Sequence, residues 1–196
     1  AKEIYRHPDA PVAGNPDALR VAFTHLSLEE GLSQSSVISL LQDRQGFVWL
    51  GTWDGLNRYD GYGFTVYRHI AGVPGFLASS QILSLGEDAA GRLWVGTANG
   101  LHRYEPETGT FTPYLLDKEV VAAKGQEQIL AIRLDRRGNL WVASNGGLHQ
   151  LDPASGKIRH VLETHESGGE VWSGGVLCVC EDRSGSLWLG TNGNGL

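Results

Sequence analysis

The hydrophobic residues of this chain fall into short continuous runs that are separated by polar turns. Four runs share one length and begin with a β-branched residue: 37–41, 82–86, 129–133 and 176–180. Each is followed by a second run that contains a tryptophan. Apolar runs of this length without strict alternation are typical of strands buried on both faces. With 27 glycines available for tight turns, the pattern predicts an all-β fold built from short strands.

The two runs belong to a segment that recurs four times. Its tryptophans are Trp49, Trp94, Trp141 and Trp188, at spacings of 45, 47 and 47 residues, a period that fits a four-stranded propeller blade. An Asp-x-x-Gly turn precedes each tryptophan, at Asp43, Asp88, Asp135 and Asp182. We interpret these aspartates as turn-formers and the tryptophans as core residues, because a catalytic carboxylate would not be needed once per blade.

A Gly-Leu pair after each tryptophan run opens a third strand, and a further turn leads to a fourth. We therefore predict an all-β fold, a β-propeller fragment of about 3.5 four-stranded antiparallel blades. Residues 1–20 are expected to form a leader or linker without a strand pattern. The rest of the chain divides into an outer strand at 21–26, blades at 37–69, 82–115 and 129–162, and a half blade at 176–196.

The four blocks, with the lead-in that starts at Glu29, resemble the two-component regulator propeller repeats of bacterial membrane-spanning sensors, over roughly residues 21–196. Ala143-Ser144 in place of Gly-Thr and Leu151 in place of Tyr are modest departures. The resemblance implies a non-catalytic, ligand-sensing input region in the periplasm, part of an inner-membrane protein. In such proteins a transmembrane helix leads to a cytoplasmic histidine kinase or diguanylate cyclase, and carbohydrate sensing is common among the hybrid kinases.

Charge and hydropathy narrow the range of partners. The net charge of −6 is spread along the chain without a Lys/Arg cluster, so nucleic acid is not expected as a partner. No apolar run approaches the about 18 residues that cross a bilayer, so contact with a membrane is expected only through segments absent from this sequence. Residues 1–6 lack a signal-peptide core and the chain contains no Met, so we expect Ala1 to begin a mature or excised chain.

Two other function classes stay open, a propeller-scaffold enzyme such as a polysaccharide lyase or quinoprotein, and a protein-interaction scaffold. An Asp-box glycosidase is disfavoured because its motif has one residue between Asp and Gly, whereas two stand here. We predict no catalytic residue, cofactor or metal. Cys178 and Cys180 are interpreted as buried small hydrophobes, since residues two apart on a strand are poorly placed for a disulfide. His102 and His149 share the repeat position of Asn57, which favours ordinary third-strand positions over metal ligation.

Candidate ligand-binding residues lie in two sets of loops that should share one face, the turns between second and third strands and the connections between blades. They are Trp53, Asp54, Asn99, Asn145, Asn192, Asn194 and Trp172. An aromatic ring, a carboxylate and several amides suit stacking on, and hydrogen bonding to, a sugar or another small molecule. The alternative is that Asn and Asp stand there because they tolerate positive φ in tight turns.

Self-association is also expected. A fragment that ends in half a blade leaves a sheet edge unpaired and apolar blade faces uncovered, which are aggregation hazards. We predict that the chain pairs with a second copy, or otherwise forms an open arc.

Overall fold

The computed structural model describes residues 4–5, 23–114, 116, 127–163, 175–193 and 195, and these confirm the all-β propeller fold. The helical structure of this described part is one short 3-10 helix, Leu28–Glu30. The strands are β1 Ile4–Tyr5, β2 Phe23–Thr24, β3 Val37–Gln42, β4 Val48–Thr52, β5 Gly55–Tyr59, β6 Phe64–Tyr67, β7 Ile82–Glu87, β8 Leu93–Thr97, β9 Gly100–Glu105, β10 Thr110–Tyr114, β11 Ile129–Leu134, β12 Leu140–Ser144, β13 Gly147–Asp152, β14 Lys157–Glu163, β15 Val176–Glu181 and β16 Leu187–Thr191.

Strands β3 to β14 form three antiparallel sheets of four strands in chain order, and β15 and β16 form a two-stranded sheet. The first strands of successive sheets contact one another, β3 with β7, β7 with β11 and β11 with β15. These sheets are therefore blades whose first strands lie side by side along the inner edge of the array.

The N-terminal region contains one strand that the sequence does not predict. Ile4–Tyr5, within the expected leader 1–20, pairs antiparallel with Phe23–Thr24 of the predicted outer strand 21–26. A two-residue strand is too short to show hydrophobic periodicity, and its backbone N–H and C=O groups pair wherever an extended segment is available.

A β-bulge recurs in the first strand of every blade. The register shifts between the first and third residues, at Val37/Ser39, Ile82/Ser84, Ile129/Ala131 and Val176/Cys178. An extra residue in one strand reverses the alternation of sides beyond it. As a result Ile82 and Leu85, at the first and fourth positions, both pack into the same core cluster as Trp49 of the preceding blade.

The tryptophan strands approach the next blade closely through a glycine. Gly96 pairs with Ser84, and a Cβ added at Gly96 would lie 2.7 Å from Cγ2 of Ile129 in the following blade. In the third blade Ala143 pairs with Ala131 and packs with the smaller Val176. The small residues of the first strand therefore make room for the first residue of the next blade.

The half blade corrects two expectations about its buried residues. Trp188, predicted to be a core residue, is 55% exposed, whereas Trp49 is 1% exposed. Cys178 and Cys180, predicted to be buried, are exposed free thiols. The physical reason is that, within the described residues, the other three tryptophan strands face a following blade and β16 faces none.

Candidate ligand-binding face

The turns between second and third strands are held by a hydroxyl group. In the first blade Thr52 Oγ1 accepts a hydrogen bond from the Asp54 N–H at 3.1 Å and donates to the Gly55 carbonyl at 3.0 Å. Gly55 takes the left-handed conformation, at φ 126°. Thr97 makes the same two bonds, to the Asn99 N–H and the Gly100 carbonyl, both at 3.0 Å.

The backbone conformation of these turns excludes the alternative explanation of their Asn and Asp residues, that they are there to supply a positive φ. Throughout the part of the chain that the structure describes, positive φ is confined to glycines. Asp54, Asn99, Asn145 and Asn192 therefore do not stand in these turns to supply a left-handed backbone. Their side chains need another explanation, in packing or in binding.

The same turns lie beside the connections that lead from one blade to the next. The Gly55 N–H donates to the Ser80 carbonyl at 2.8 Å, and the Gly100 N–H donates to the Glu127 carbonyl at 2.7 Å. Ser80 and Glu127 each stand shortly before the first strand of the following blade. The described parts of the two sets of loops therefore lie on one face, as the sequence predicts, and we call it the loop face.

The first blade presents an aromatic ring and a pair of charges on the loop face. Trp53 is 49% exposed, while Ala98 at the same position of the second blade is buried. Asp54 Oδ2 accepts from Arg68 Nη2 at 3.1 Å, and Arg68 Nε also donates to the Asp54 carbonyl. Arg68 was missed by the sequence reasoning. Its signal was a cation directly after the fourth strand, at the end that meets this turn.

The amide residues of the other blades differ in what they offer. Asn99 and Asn192 are exposed. Asn145 is partly buried, and its Oδ1 accepts from the Gln128 N–H at 3.0 Å, so it holds the connection to its own blade. The structure places Trp53, Asp54, Asn99, Asn145 and Asn192 at equivalent turns of four blades. Asn194 and Trp172 lie outside the described residues.

Beneath the loop face, one polar column of the third strands fixes the connections. Asn57 Oδ1 accepts from the Ser33 N–H at 2.8 Å, and His102 Nε2 accepts from the Ala78 N–H at 3.1 Å. Burial lowers the pKa of His102 from 6.5 to about 4, so the ring stays neutral and can accept. The shared repeat position signalled a common role, but only the structure shows that the role is to hold the connection into each blade.

One buried cluster in the third blade has the residue types of a hydrolase triad. Ser144 Oγ lies 3.1 Å from Nε2 of His149, and Glu127 Oε1 lies 3.6 Å from the same nitrogen. In a triad the acid and the nucleophile contact opposite ring nitrogens. All three side chains are also buried, which leaves no access for a substrate. This arrangement holds the third blade together and does not fit nucleophilic catalysis.

At the opposite end of the blades, each repeated aspartate closes its turn, as predicted. Asp88 Oδ1 accepts from the Ala90 and Arg92 N–H groups, and Oδ2 accepts from Trp94 Nε1 at 2.9 Å. Burial raises the pKa of Asp88, but the hydrogen bonds from Trp94 and Arg92 outweigh it, so the net pKa is lowered. The bond from the tryptophan ring, which all four repeats make, was not foreseen from the sequence.

In the described ranges, no three His, Cys, Asp or Glu residues converge in a way that could hold a metal ion. Among those same residues the structure has no helix with the length and hydropathy that crossing a bilayer requires.

Four segments of the chain match a known protein family. Residues 31–54, 77–99, 124–146 and 167–193 match the family described as Two component regulator propeller. The chain belongs to this family. Each of the first three matches runs from the lead-in of a blade to its turn on the loop face, so the family pattern includes the candidate turns.

Relatives of this propeller chain include signalling proteins. It is 58% identical over 40 residues to Histidine kinase P4 of Formosa agariphila, a match that covers 20% of this chain and 3% of that protein. A similar solved structure is the extracellular domain of a candidate one-component system, BT4673, from B. thetaiotaomicron, with a TM-score of 0.68 and 25% identity over 80% of this chain and 20% of that one.

Another solved structure is the extracellular domain of a candidate hybrid two-component system from the same organism, BT3049. Its TM-score is 0.64 at 24% identity, over 87% of this chain and 30% of that one. The two-component regulator propeller described here thus resembles sensor-type extracellular domains. It spans less than a third of the length of these relatives.

Enzymes share the fold as well. Virginiamycin B lyase from Staphylococcus aureus matches with a TM-score of 0.59 and 16% identity, over 89% of this chain and 54% of that one. At this identity the similarity concerns the fold alone.

Proposed function

We propose that this chain is part of the ligand-sensing input region of a bacterial membrane-spanning signalling protein, and that it does no chemistry itself. Its ligand is a carbohydrate or another small polar molecule that binds at the loop face. The region lies outside the cytoplasmic membrane, and binding is passed to a cytoplasmic kinase or diguanylate cyclase. Membership of the two-component regulator propeller family and the resemblance to extracellular domains support this proposal.

The observation that carries the proposal is the half-exposed Trp53 beside the Asp54–Arg68 ion pair. The turn does not need an indole at this position, because the second blade has alanine there. An exposed aromatic face can stack on the apolar face of a sugar ring, and the neighbouring carboxylate and guanidinium can hydrogen-bond its hydroxyl groups. The exposed Asn99 adds an amide at the equivalent turn of the next blade.

An enzyme is the weaker alternative, because it needs reacting groups that converge on an accessible point. The one Ser/His/Glu cluster among the described residues is buried and has the wrong arrangement about the imidazole ring. A propeller fold by itself favours neither class.

Binding can be tested with a panel of neutral, acidic and amino sugars, and of oligosaccharides, by thermal shift and by titration of tryptophan fluorescence. We expect at least one class to raise Tm, and Trp53→Ala to weaken its binding at least about tenfold, equivalent to ~1.4 kcal/mol. Tyr62→Ala is the matched control. Tyr62 is an exposed aromatic residue that belongs to the turn between third and fourth strands, away from the loop face.

Two results would contradict the proposal. One is a ligand whose affinity is the same for Trp53→Ala as for the unmodified chain, which would place binding elsewhere. The other is turnover of a panel member into product, which would make the chain an enzyme.

A further inference from the structure

The carboxylate and the guanidinium beside Trp53 neutralise each other. Arg68 Nε donates to the Asp54 carbonyl at 3.1 Å, and Nε and Nη2 both donate to Asp54 Oδ2, at 3.3 and 3.1 Å. These hydrogen bonds hold one edge of the guanidinium against Asp54. The pair therefore presents a dipole without net charge to a molecule that stacks on the indole ring.

Part of this ion pair is available to a ligand. The side chains of Arg68 and Asp54 are 47% and 52% exposed. Among the described residues, Asp54 Oδ1 accepts no hydrogen bond and Arg68 Nη1 donates none. The pair thus offers one acceptor and one donor to a molecule that approaches from the solvent.

The ion pair lies at the junction of two blades. Arg68 directly follows β6, the fourth strand of the first blade. In the turn that carries Asp54, the Gly55 N–H donates to the Ser80 carbonyl of the connection into the second blade. The pair is therefore flanked by described segments of both blades and does not lie at an end of the described array.

Hydroxyl and amide side chains stand beside the same turns. The Ala98 N–H of the second turn donates to the Gln81 carbonyl at 3.0 Å, which places Gln81 next to Asn99. The side chains of Gln81 and Asn99 are both exposed. An amide donates through its nitrogen and accepts through its oxygen, so these residues can bond hydroxyl groups but cannot compensate a charge.

A charge on the ligand would gain little at the ion pair. A carboxylate that accepts from Arg68 Nη1 comes close to the carboxylate of Asp54, and an ammonium group that donates to Asp54 Oδ1 comes close to the guanidinium. Each charge meets an attraction and a repulsion together, and it still loses part of its hydration. A hydroxyl group loses less hydration and can both donate to Oδ1 and accept from Nη1.

We propose that the site at Trp53 binds an uncharged sugar and discriminates against uronic acids and amino sugars, through the Asp54–Arg68 pair. This inference rests on the proposed function, since it specifies the ligand of the same site. It assigns Asp54 and Arg68 as the residues that determine specificity, and Trp53 as the residue that supplies affinity by stacking.

Matched sugars measure the discrimination. The panel contains cello-, manno- and galacto-tetrasaccharides, each with a counterpart whose primary hydroxyl groups are oxidised to carboxylates. Chitin tetrasaccharide and its deacetylated form add an amino-sugar pair. Dissociation constants are measured by titration of tryptophan fluorescence. We expect a neutral member to bind in a way that Trp53→Ala weakens, and its charged counterpart to bind at least about tenfold more weakly.

Two variants that each remove one charge test the role of the pair. Asp54→Asn keeps the main-chain carbonyl that holds Arg68 Nε, so the guanidinium stays in place without its counterion. The affinity for carboxylate sugars should rise at least about threefold, and the affinity for the neutral sugar should fall. Arg68→Gln should have the reverse effect on charged ligands, since it weakens carboxylate sugars further and favours the amino sugar about threefold.

These opposite shifts separate a specificity role from a structural one, because loosening the turn would weaken every ligand alike. Tyr62→Ala, at an exposed aromatic residue away from the loop face, should leave all the affinities unchanged. Far-UV circular dichroism and Tm establish that each variant is folded.

Two results would overturn the inference and leave the proposed function standing. One is a charged sugar that binds as tightly as its neutral counterpart and loses affinity in Trp53→Ala. The other is a pair of charge variants that change the affinities for charged and neutral members by the same factor. Both results would still show a ligand at the loop face. A panel in which no member depends on Trp53 would overturn the inference and the proposed function together.

Discussion

His102 illustrates how a single polar residue works inside this repeat. Its ring is buried and accepts the Ala78 N–H, and Asn57 has the same task in the first blade. The low pKa follows from burial, because the protonated ring would lose its solvation and could no longer accept from the backbone.

His102 should make the chain sensitive to mild acid. Between pH 6.5 and about 4 the unfolded chain binds a proton at this residue that the folded chain does not. The free energy of unfolding should therefore fall as the pH is lowered through this range, by up to about 3 kcal/mol from this group. His102→Asn keeps the acceptor, as in Asn57, and should remove that part of the pH dependence.

Urea denaturation at pH 7.5 and 4.5 measures this difference. All other titratable groups are the same in both proteins, so the comparison isolates position 102. Equal acid losses in the variant and the unmodified chain would show that His102 does not carry the effect.

At the scale of single strands, the close approach of neighbouring blades limits the size of the residues that fit between them. Gly96 on β8 lies against Ser84 on β7 and against Ile129 on β11, and Ser84 Oγ donates to the Ile129 carbonyl at 2.9 Å. In the third blade the equivalent pair is Ala143 and Ala131. A larger side chain on one strand of this pair therefore requires a smaller one on the other strand.

We expect Gly96→Ala to lower the free energy of unfolding by about 1–3 kcal/mol, since the new methyl group overpacks the contact with Ser84 and Ile129. Ser84→Ala alone should cost about 1 kcal/mol for the lost hydrogen bond. The double variant reproduces the alanine pair of the third blade and should lose less than the sum of the two single changes. Equilibrium urea unfolding of the four proteins measures the coupling.

Gly63→Ala is the control for the loss of a glycine. A Cβ at Gly63 meets no atom within 4 Å, so the change should shift stability by less than about 0.5 kcal/mol. Strict additivity of Gly96→Ala and Ser84→Ala would contradict the shared-space explanation.

At the scale of the whole molecule, the array is held together by contacts between neighbouring blades. Such proteins have a stability that is roughly the sum of the repeats and their interfaces. Among the described residues, β7 and β11 have a blade on either side, whereas β3 has a blade on its β7 side alone. The protection of backbone amides from hydrogen exchange should therefore vary along the chain, although the repeats are alike.

Hydrogen exchange with mass spectrometry tests this gradient. Peptides covering 82–87 and 129–134 should exchange at least about tenfold more slowly than the equivalent peptides 37–42 and 176–181. The measurement is made at low protein concentration, so that self-association does not cover the ends of the array. Uniform protection of the four equivalent strands would mean that the blades open together, as one cooperative unit.

How far the sequence predicts the fold depends on what repeats. Four copies of Asp, Gly and Trp in one order predicted the blades and the turn role of the aspartates, because a feature present four times must suit a local structure. The sequence did not predict the hydrogen bond from each tryptophan ring to its aspartate, because a spacing of six residues does not show which way two side chains point.

The candidate site could be predicted only in part. The turn positions of Trp53 and Asp54, and the face they share with the connections, followed from the order of the strands. Arg68 lies 14 residues beyond Asp54, and Asn145 is a turn amide like Asn99, one position earlier in the repeat, although it is tied to the backbone at Gln128. Which polar side chain remains available to a ligand depends on contacts between segments that are distant in the sequence.

By itself the sequence determined the all-β architecture, the repeat and its tight turns, because these depend on the chemistry of residues close together in the chain. The tertiary structure decided which equivalent residues are buried. Trp49 and Trp188 occupy the same position of the same repeat, yet one is core and the other is half exposed. Burial requires a neighbour on both sides of a blade, and no local pattern records whether that neighbour is present.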